Sequence, residues 1–238
     1  MTPEAGKSLD DLFHTTDSGA HWAMAARIAT GPGFDLLGGR LVFLSSSSGL
    51  LFPDEVRGTG TATLYRTVDG GRNWTPVVLG AVTTSNPAGL VVSAVKFFSD
   101  RSGVVQVVQP GAESYVYTTS DGGASWSTAR LLPIDYANPF AYAWTDFVDT
   151  DVWIAYDNQG LERTANGGEA WSAVTPLFVD LPNIVHYLKF ATFTDRSDGW
   201  GGAGCRGIVI VHTTDGGTHW SQLSLPYPQP ANIGGACI

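Results

Sequence analysis

Cysteine and basic side chains are scarce in this 238-residue chain. Cys205 and Cys237 are too few for a disulfide framework and lack the spacing of metal ligands. A single bridge between them stays open if neighbouring repeats bring them together in an exported protein. Only 13 Lys and Arg stand against 22 Asp and Glu, a net charge of −9. That balance argues against nucleic-acid phosphates, which need a basic surface, and against an anionic membrane surface. No segment approaches the ~20 consecutive apolar residues of a membrane helix. Met1 to Asp10 lack the apolar core of a signal peptide. There is no His-Glu-x-x-His, no Gly-x-Ser-x-Gly and no phosphate-cradling glycine loop, so Gly58-Thr-Gly60 reads as a flexible loop. We therefore expect no cofactor and no metal.

Glycine and tryptophan, by contrast, are plentiful at 29 and 8. Five octets align without gaps: Thr15-Thr-Asp17-Ser-Gly19-Ala-His-Trp22, Thr67-Val-Asp69-Gly-Gly71-Arg-Asn-Trp74, Thr119-Ser-Asp121-Gly-Gly123-Ala-Ser-Trp126, Thr164-Ala-Asn166-Gly-Gly168-Glu-Ala-Trp171 and Thr213-Thr-Asp215-Gly-Gly217-Thr-His-Trp220. Their tryptophans are 52, 52, 45 and 49 residues apart, and one position of the repeat holds five of the eight. Internal repetition at this period signals a repeat architecture. Asp-Gly and Asn-Gly favour turns with positive φ, and an Asp side chain can bond backbone N–H groups just downstream. Thr suits the end of an incoming strand, and Trp opens the outgoing one with a large apolar surface. The octet is thus a self-capped hairpin with a structural role.

The pattern Ser/Thr-x-Asp-x-Gly-x-x-Trp resembles the Asp-box, or BNR repeat, of sialidase-like β-propellers. Its Asp-Gly-Gly-x-x-Trp form is most similar to the photosystem II assembly factor-like and oligoxyloglucan-hydrolase-like groups. The resemblance implies an all-β propeller of four-stranded blades; it says little about activity, because the fold hosts enzymes, receptors and scaffolds. Sialidases of this kind need an arginine trio, a Tyr/Glu nucleophile pair and an acid, and no matching motif is present. Xyloglucan hydrolases use two carboxylates across a cleft between tandem propellers, and this length holds one propeller. Asp54, Glu55, Glu113, Asp135 and Asp180 are acids off the repeat turns, but their spacing singles out no catalytic pair.

A second shared element, Phe98-Ser-Asp100, Phe147-Val-Asp149 and Phe193-Thr-Asp195, ends an apolar strand upstream of three octets. β-rich runs follow at Val104 to Val108, Val152 to Tyr156 and Trp200 to Ala203. The reading is a single propeller over residues 1–238, with repeats over about 1–28, 34–79, 90–132, 141–176 and 186–225. The first copy has only its last two strands, and Ala231 to Ile238 reads as the start of another inner strand. Either the two ends share a closing blade or the chain is an excerpt of a longer propeller, the reading we favour.

In such a blade the octet and the turn between the first two strands share one face. The opposite face carries the long connections Ser47 to Ala62, Gly80 to Gly89, Pro133 to Tyr142 and Leu177 to Tyr187, where binding residues gather. Asp135, Tyr136, Asn138, Phe140 and Tyr142 crowd one of them, with Asp54, Glu55 and Arg57 in another and His186 and Tyr187 in a third. Aromatic rings beside acids and amides suit a sugar or a protein partner, although packing between blades would also use them. His14/His21 and His212/His219 occupy equivalent places, which repetition explains without a metal. The expected function is a non-catalytic, extracytoplasmic or secreted propeller binding a protein or glycan; the alternative is a sialidase-like or glucan-directed hydrolase.

Overall fold

The computed structural model describes residues 8–30, 34–35, 39–53, 55–56, 62–80, 90–108, 113–134, 144–157, 160–175, 178–181, 184–203 and 209–223. All regular structure among them is antiparallel strand. Two compact units divide the chain at Leu131/Leu132.

In the first unit, β1 (Ser8–His14) pairs with β2 (Ala23–Thr30) around the first octet. Next come β3 (Phe34–Asp35), β4 (Arg40–Phe43), β5 (Gly49–Phe52), β6 (Glu55–Val56), β7 (Thr63–Thr67) and β8 (Thr75–Val78). Strands β4-β5-β7-β8 form one four-stranded sheet. Strands β9 (Leu90–Phe97), β10 (Gly103–Val108), β11 (Ser114–Thr119) and β12 (Arg130–Leu131) form another, which β6 and then β3 extend beyond β9. The second unit contains β13 (Trp144–Phe147), β14 (Trp153–Asp157), β15 (Gly160–Thr164) and β16 (Ser172–Thr175) as one sheet. Its other sheet runs β17 (Phe178–Leu181), β18 (Ile184–Phe193), β19 (Gly199–Ala203), β20 (Val209–Thr213) and β21 (Ser221–Gln222). These are the four-stranded sheets of a β-propeller, with an octet between the third and fourth strand of each.

Three expectations change. The Ser47–Ala62 stretch is not one loop: Gly49–Phe52 is a strand whose four residues are all buried. The serines before it give a turn, with Leu44 N–H donating to Ser48 C=O at 2.8 Å, and the apolar Leu-Leu-Phe run then enters the core. The repeat expected to start near residue 34 has its first strand at Arg40 instead. Phe34–Asp35 joins the next sheet through Val56 and Glu55, separated from β4 by Gly38-Gly39. The Leu177–Tyr187 connection likewise holds β17 and the first residues of β18, paired as a hairpin.

The octets behave as their chemistry requires. In all five, the Thr hydroxyl donates to the Asp or Asn Oδ1 at 2.8–2.9 Å and accepts the N–H of the fifth-place glycine, the second of a Gly pair in every copy but the first, at 2.9–3.0 Å. The same Oδ1 accepts the N–H four residues downstream at 2.8–3.0 Å. That fifth-place glycine has φ between +78 and +93 in every copy, a region costly for side chains with a Cβ. Backbone N–H donors that the turn would strand are thereby satisfied locally.

Burial comes from packing between sheets. Leu50, Phe52, Leu64, Leu79, Leu90, Val105, Val107 and Tyr117 form a core in the first unit. Trp126 meets Phe52 and Phe97 edge-on at 6.4 and 6.3 Å. In the second unit Ile154, Tyr156, Leu161, Leu188, Phe193, Val211 and Trp220 pack together. Arginines stitch neighbouring sheets: Arg66 Nε donates to Gly122 C=O and Arg163 Nη2 to Arg196 C=O, each at 3.1 Å.

Candidate functional site

Each blade has two ends, and hydrogen bonds define them. The N–H of the residue after the octet acid donates to the turn between the first and second strands. The four pairs are Gly70 to Ser47, Gly122 to Arg101, Gly167 to Asp151 and Gly216 to Ser197, all at 2.8 Å. Octet and inner turn therefore share one end, as the sequence implied. Inner strands β9 and β18 run toward that end, so Leu90 and Ile184 begin at the far end.

The octet end is a closed set of hydrogen bonds. The second oxygen of each acid takes a side-chain donor four residues on: His21 Nδ1 at 2.6 Å, Asn73 Nδ2 at 2.7 Å, Ser125 Oγ at 2.6 Å and His219 Nδ1 at 2.6 Å. Bonds from Asn73, N–H first and then side chain, hold the Asp69 carboxyl down to about 2. Burial pushes Asp121 up, but the Ser125 hydroxyl and N–H outweigh it and bring it to about 2. The His219 N–H leads the same effect at Asp215, also at about 2. Where Asn166 replaces the acid, Ala170 occupies the fourth place and offers no side-chain donor. Amide and alanine go together because a second carboxylate oxygen there would lack its donor. Carboxylates so fully engaged are turn fasteners, not acids awaiting a substrate.

The far end carries the additions. Glu55 and Val56 pair with Val91 and Leu90, the first residues of β9. Phe178 to Leu181 pair with Tyr187 to Ile184, the first residues of β18. Of the residues expected to bind, Glu55 thus lies in β6, and His186 and Tyr187 lie in β18, opposite Val179 and Phe178. All three stand in strand pairs added at the far end. Asp54, Arg57, Asp135, Tyr136, Asn138, Phe140 and Tyr142 lie outside the described residues, as do Cys205 and Cys237. Glu113 accepts the hydroxyl of Tyr115, whose own ionisation burial and Glu113 together push up to about 12.

The sequence reading missed one carboxyl pair. Asp157, only 6% exposed at the end of β14, and Glu162 in β15 lie on the same side of their sheet, since Glu162 pairs with Ala155. Burial, followed by the charge of Asp157, raises the Glu162 carboxyl above the usual range. A carboxyl raised by burial beside a second carboxylate is a candidate for proton transfer. Strand alternation places them together; neither belongs to a sequence motif.

Octets, inner turns and four-stranded sheets together give the chain the fold of a β-propeller, with octets that resemble Asp-boxes. No family model matches it. The photosystem II assembly lipoprotein Ycf48 of Synechococcus sp. (strain CC9902) is 24% identical over 226 residues, covering 93% of this chain and 59% of that protein. A "Probable oligoxyloglucan-reducing end-specific xyloglucanase" of Neosartorya fischeri is 26% identical over 185 residues, 73% of this chain but 21% of the enzyme. The matches thus span about three fifths and about one fifth of these two relatives. Among solved structures, YCF48 from Cyanidioschyzon merolae superposes with a TM-score of 0.56 at 16% identity, covering 89% of this chain and 63% of that one. An ancestral GH74 enzyme gives 0.54 at 11% identity, covering 89% and 28%. These structural likenesses concern the fold.

Proposed function

We propose that this chain is a non-catalytic binding propeller that holds a protein partner through the far end of its blades. The observation that carries the reading is the asymmetry between ends. The octet end is spent on internal hydrogen bonds, whereas extra strands at the far end enlarge the inner strands β9 and β18. Binding surfaces gather where a rigid scaffold carries irregular additions. Likeness to an assembly lipoprotein over 93% of the chain supports the same reading and an extracytoplasmic location. Among the described residues no helix is long and apolar enough to cross a membrane. The candidate binding residues are Asp54, Glu55 and Arg57 in the first unit and Asp135, Tyr136, Asn138, Phe140, Tyr142, His186 and Tyr187 in the second.

Photo-crosslinking amino acids placed in the native host test this. Positions 55, 186 and 187 should yield one shared protein adduct, while positions 72 and 218 at the octet end should not. Adducts from the octet end alone would overturn the assignment.

A second reading, a glucan-directed hydrolase, rests on the Asp157–Glu162 pair and the xyloglucanase likeness. It requires that turnover of xyloglucan oligosaccharides disappear in both Asp157→Asn and Glu162→Gln. Absence of turnover in the unaltered protein would rule it out for this substrate.

A further inference from the structure

Every sheet has two faces, and the packings inside each unit use them in one order. Leu12 and Ile28 of the β1–β2 sheet meet Leu51, Tyr65 and Trp74 of the sheet that follows. From the opposite face of that sheet, Leu50, Phe52 and Leu64 meet Val105, Val107 and Tyr117. In the second unit, Ile154, Tyr156 and Leu161 meet Ala203, Val211 and Trp220 of the last sheet. Strand alternation puts the two sets of a sheet on opposite sides. Three times over, a leading face packs on the trailing face of the next sheet.

Aligning the octets shows two faces without that cover. Phe13 holds the trailing place of Tyr65, Tyr117 and Val211, all buried, yet it is 55% exposed. Its cross-strand partner Met24 and the neighbouring Trp22 are exposed as well. A Cβ at Gly123 or Gly217 would touch a leading-face leucine, Leu50 or Leu161, whereas at Gly19 it would meet only Trp22 of its own octet. One edge of β1 is open too: β7, β11, β15 and β20 each pair on both sides, but β1 pairs only with β2 among the described residues. In the last sheet, Trp200 holds the leading place of Leu50, Val104 and Ile154, again all buried, and is 40% exposed. Phe190, opposite Gly202 on the same side, is exposed as well.

We propose that copies of this chain pack head to tail, the leading face of the last sheet in one copy covering the trailing face of the β1–β2 sheet in another. Phe13, Trp22 and Met24 then meet Trp200 and Phe190. The repeat itself names the occupant. Trailing faces in this fold take leading faces, and the described residues of a single chain leave one of each uncovered. Grouped exposed apolar side chains mark contact surfaces. A contact between unlike faces is heterologous, so it can recur from copy to copy. None of these five residues belongs to the far-end set, so self-association and partner capture fail independently.

The test is sedimentation equilibrium of the full chain, which should show reversible association beyond the monomer. Trp22→Ala and Trp200→Ala should each weaken it about tenfold, as loss of an interface tryptophan does. Exposed in the single chain, Trp22 contributes little to its fold, so its replacement reads the contact. Arg72→Ala, outside both faces, should leave association unchanged. A photo-crosslinking phenylalanine at position 13, in a mixture of unlabelled and isotope-labelled copies, then identifies the covering face. Adducts should join a labelled chain to an unlabelled one through the β19 segment. A monomer at every concentration overturns the proposal. So do adducts confined to one chain, which would mean that the chain covers its own face, or undiminished association in both tryptophan variants.

Discussion

The first and last octets make the same hydrogen bonds and sit in opposite circumstances. Residues 15–22 and 213–220 share the Thr–Asp–Gly bonding pattern and even the His donor four places after the acid. Yet Trp22 is 62% exposed and Trp220 only 9%. Trp220 lies against Phe193 of its own inner strand, 6.0 Å between centroids. The β1–β2 sheet has no inner strand among the described residues to cover Trp22; its Nε1–H bonds Gly19 C=O at 3.1 Å, as Trp74 Nε1–H bonds Gly71 C=O at 2.9 Å, so the local bond alone does not bury the ring. The turn is thus a local device. What makes it a blade is the aromatic packing that neighbouring strands supply.

That contrast orders the expected effects of substitution. Trp220→Ala should cost about 3–5 kcal/mol, and Trp22→Ala no more than about 0.5 kcal/mol, both read by denaturant unfolding. Equal losses would mean that the indole serves the turn and not the core. Gly123→Ala comes next. Its φ of +78 is strained for alanine, and the new Cβ would fall 2.5 Å from Leu50 Cδ2. We expect a loss of about 2–4 kcal/mol. Gly19→Ala, with φ +91 and no atom nearer than 3.9 Å, should cost about 1–2 kcal/mol from backbone strain alone.

Asp121→Ala strands the Ser125 N–H and should cost about 1–2 kcal/mol. Asn166→Asp should destabilise by less, and Ala170→Ser should recover the loss by supplying the missing donor. A double-mutant cycle should give a coupling of about 0.5–1 kcal/mol; zero coupling would separate the amide from its alanine. The smallest effect is on pH dependence. Asp69, Asp121 and Asp215 titrate near 2 when folded, below the unfolded carboxylate range. Their contribution is fully present above about pH 4 and is lost as pH falls toward about 2. Melting temperature should therefore drop across that window, and less steeply when Asp69 and Asp215 are replaced by Asn.

The fold was legible because the octet carries its own geometry: Thr, Asp, Gly and Trp each make a bond or contact within eight residues. The paired β-rich runs at Val104, Val152 and Trp200 were legible for a related reason, since each follows its Phe-x-Asp turn. The additions were not. Phe34–Asp35, Glu55–Val56 and Phe178–Leu181 are two to four residues long, and β6 finds its partner at Leu90–Val91 in the following repeat. No local periodicity marks such a pairing. Gly49–Phe52 was hidden by the four serines before it, although Gly49 aligns with Gly103 and Gly199, where a Phe ring on the inner strand leaves no room for Cβ. Of the candidate site, the placement of Glu55, His186 and Tyr187 at the far end followed from blade logic; the Asp157–Glu162 pair needed strand register.

The central claim is that the octet end builds the scaffold and the far end binds. The direct measurement compares two triple variants purified from the native host, with copurifying proteins quantified by mass spectrometry. One carries Glu55→Ala, His186→Ala and Tyr187→Ala; the other carries Arg72→Ala, Glu169→Ala and Thr218→Ala. With both still folded, the account predicts loss of the partner from the first and retention in the second. Retention in the first with loss from the second would contradict it.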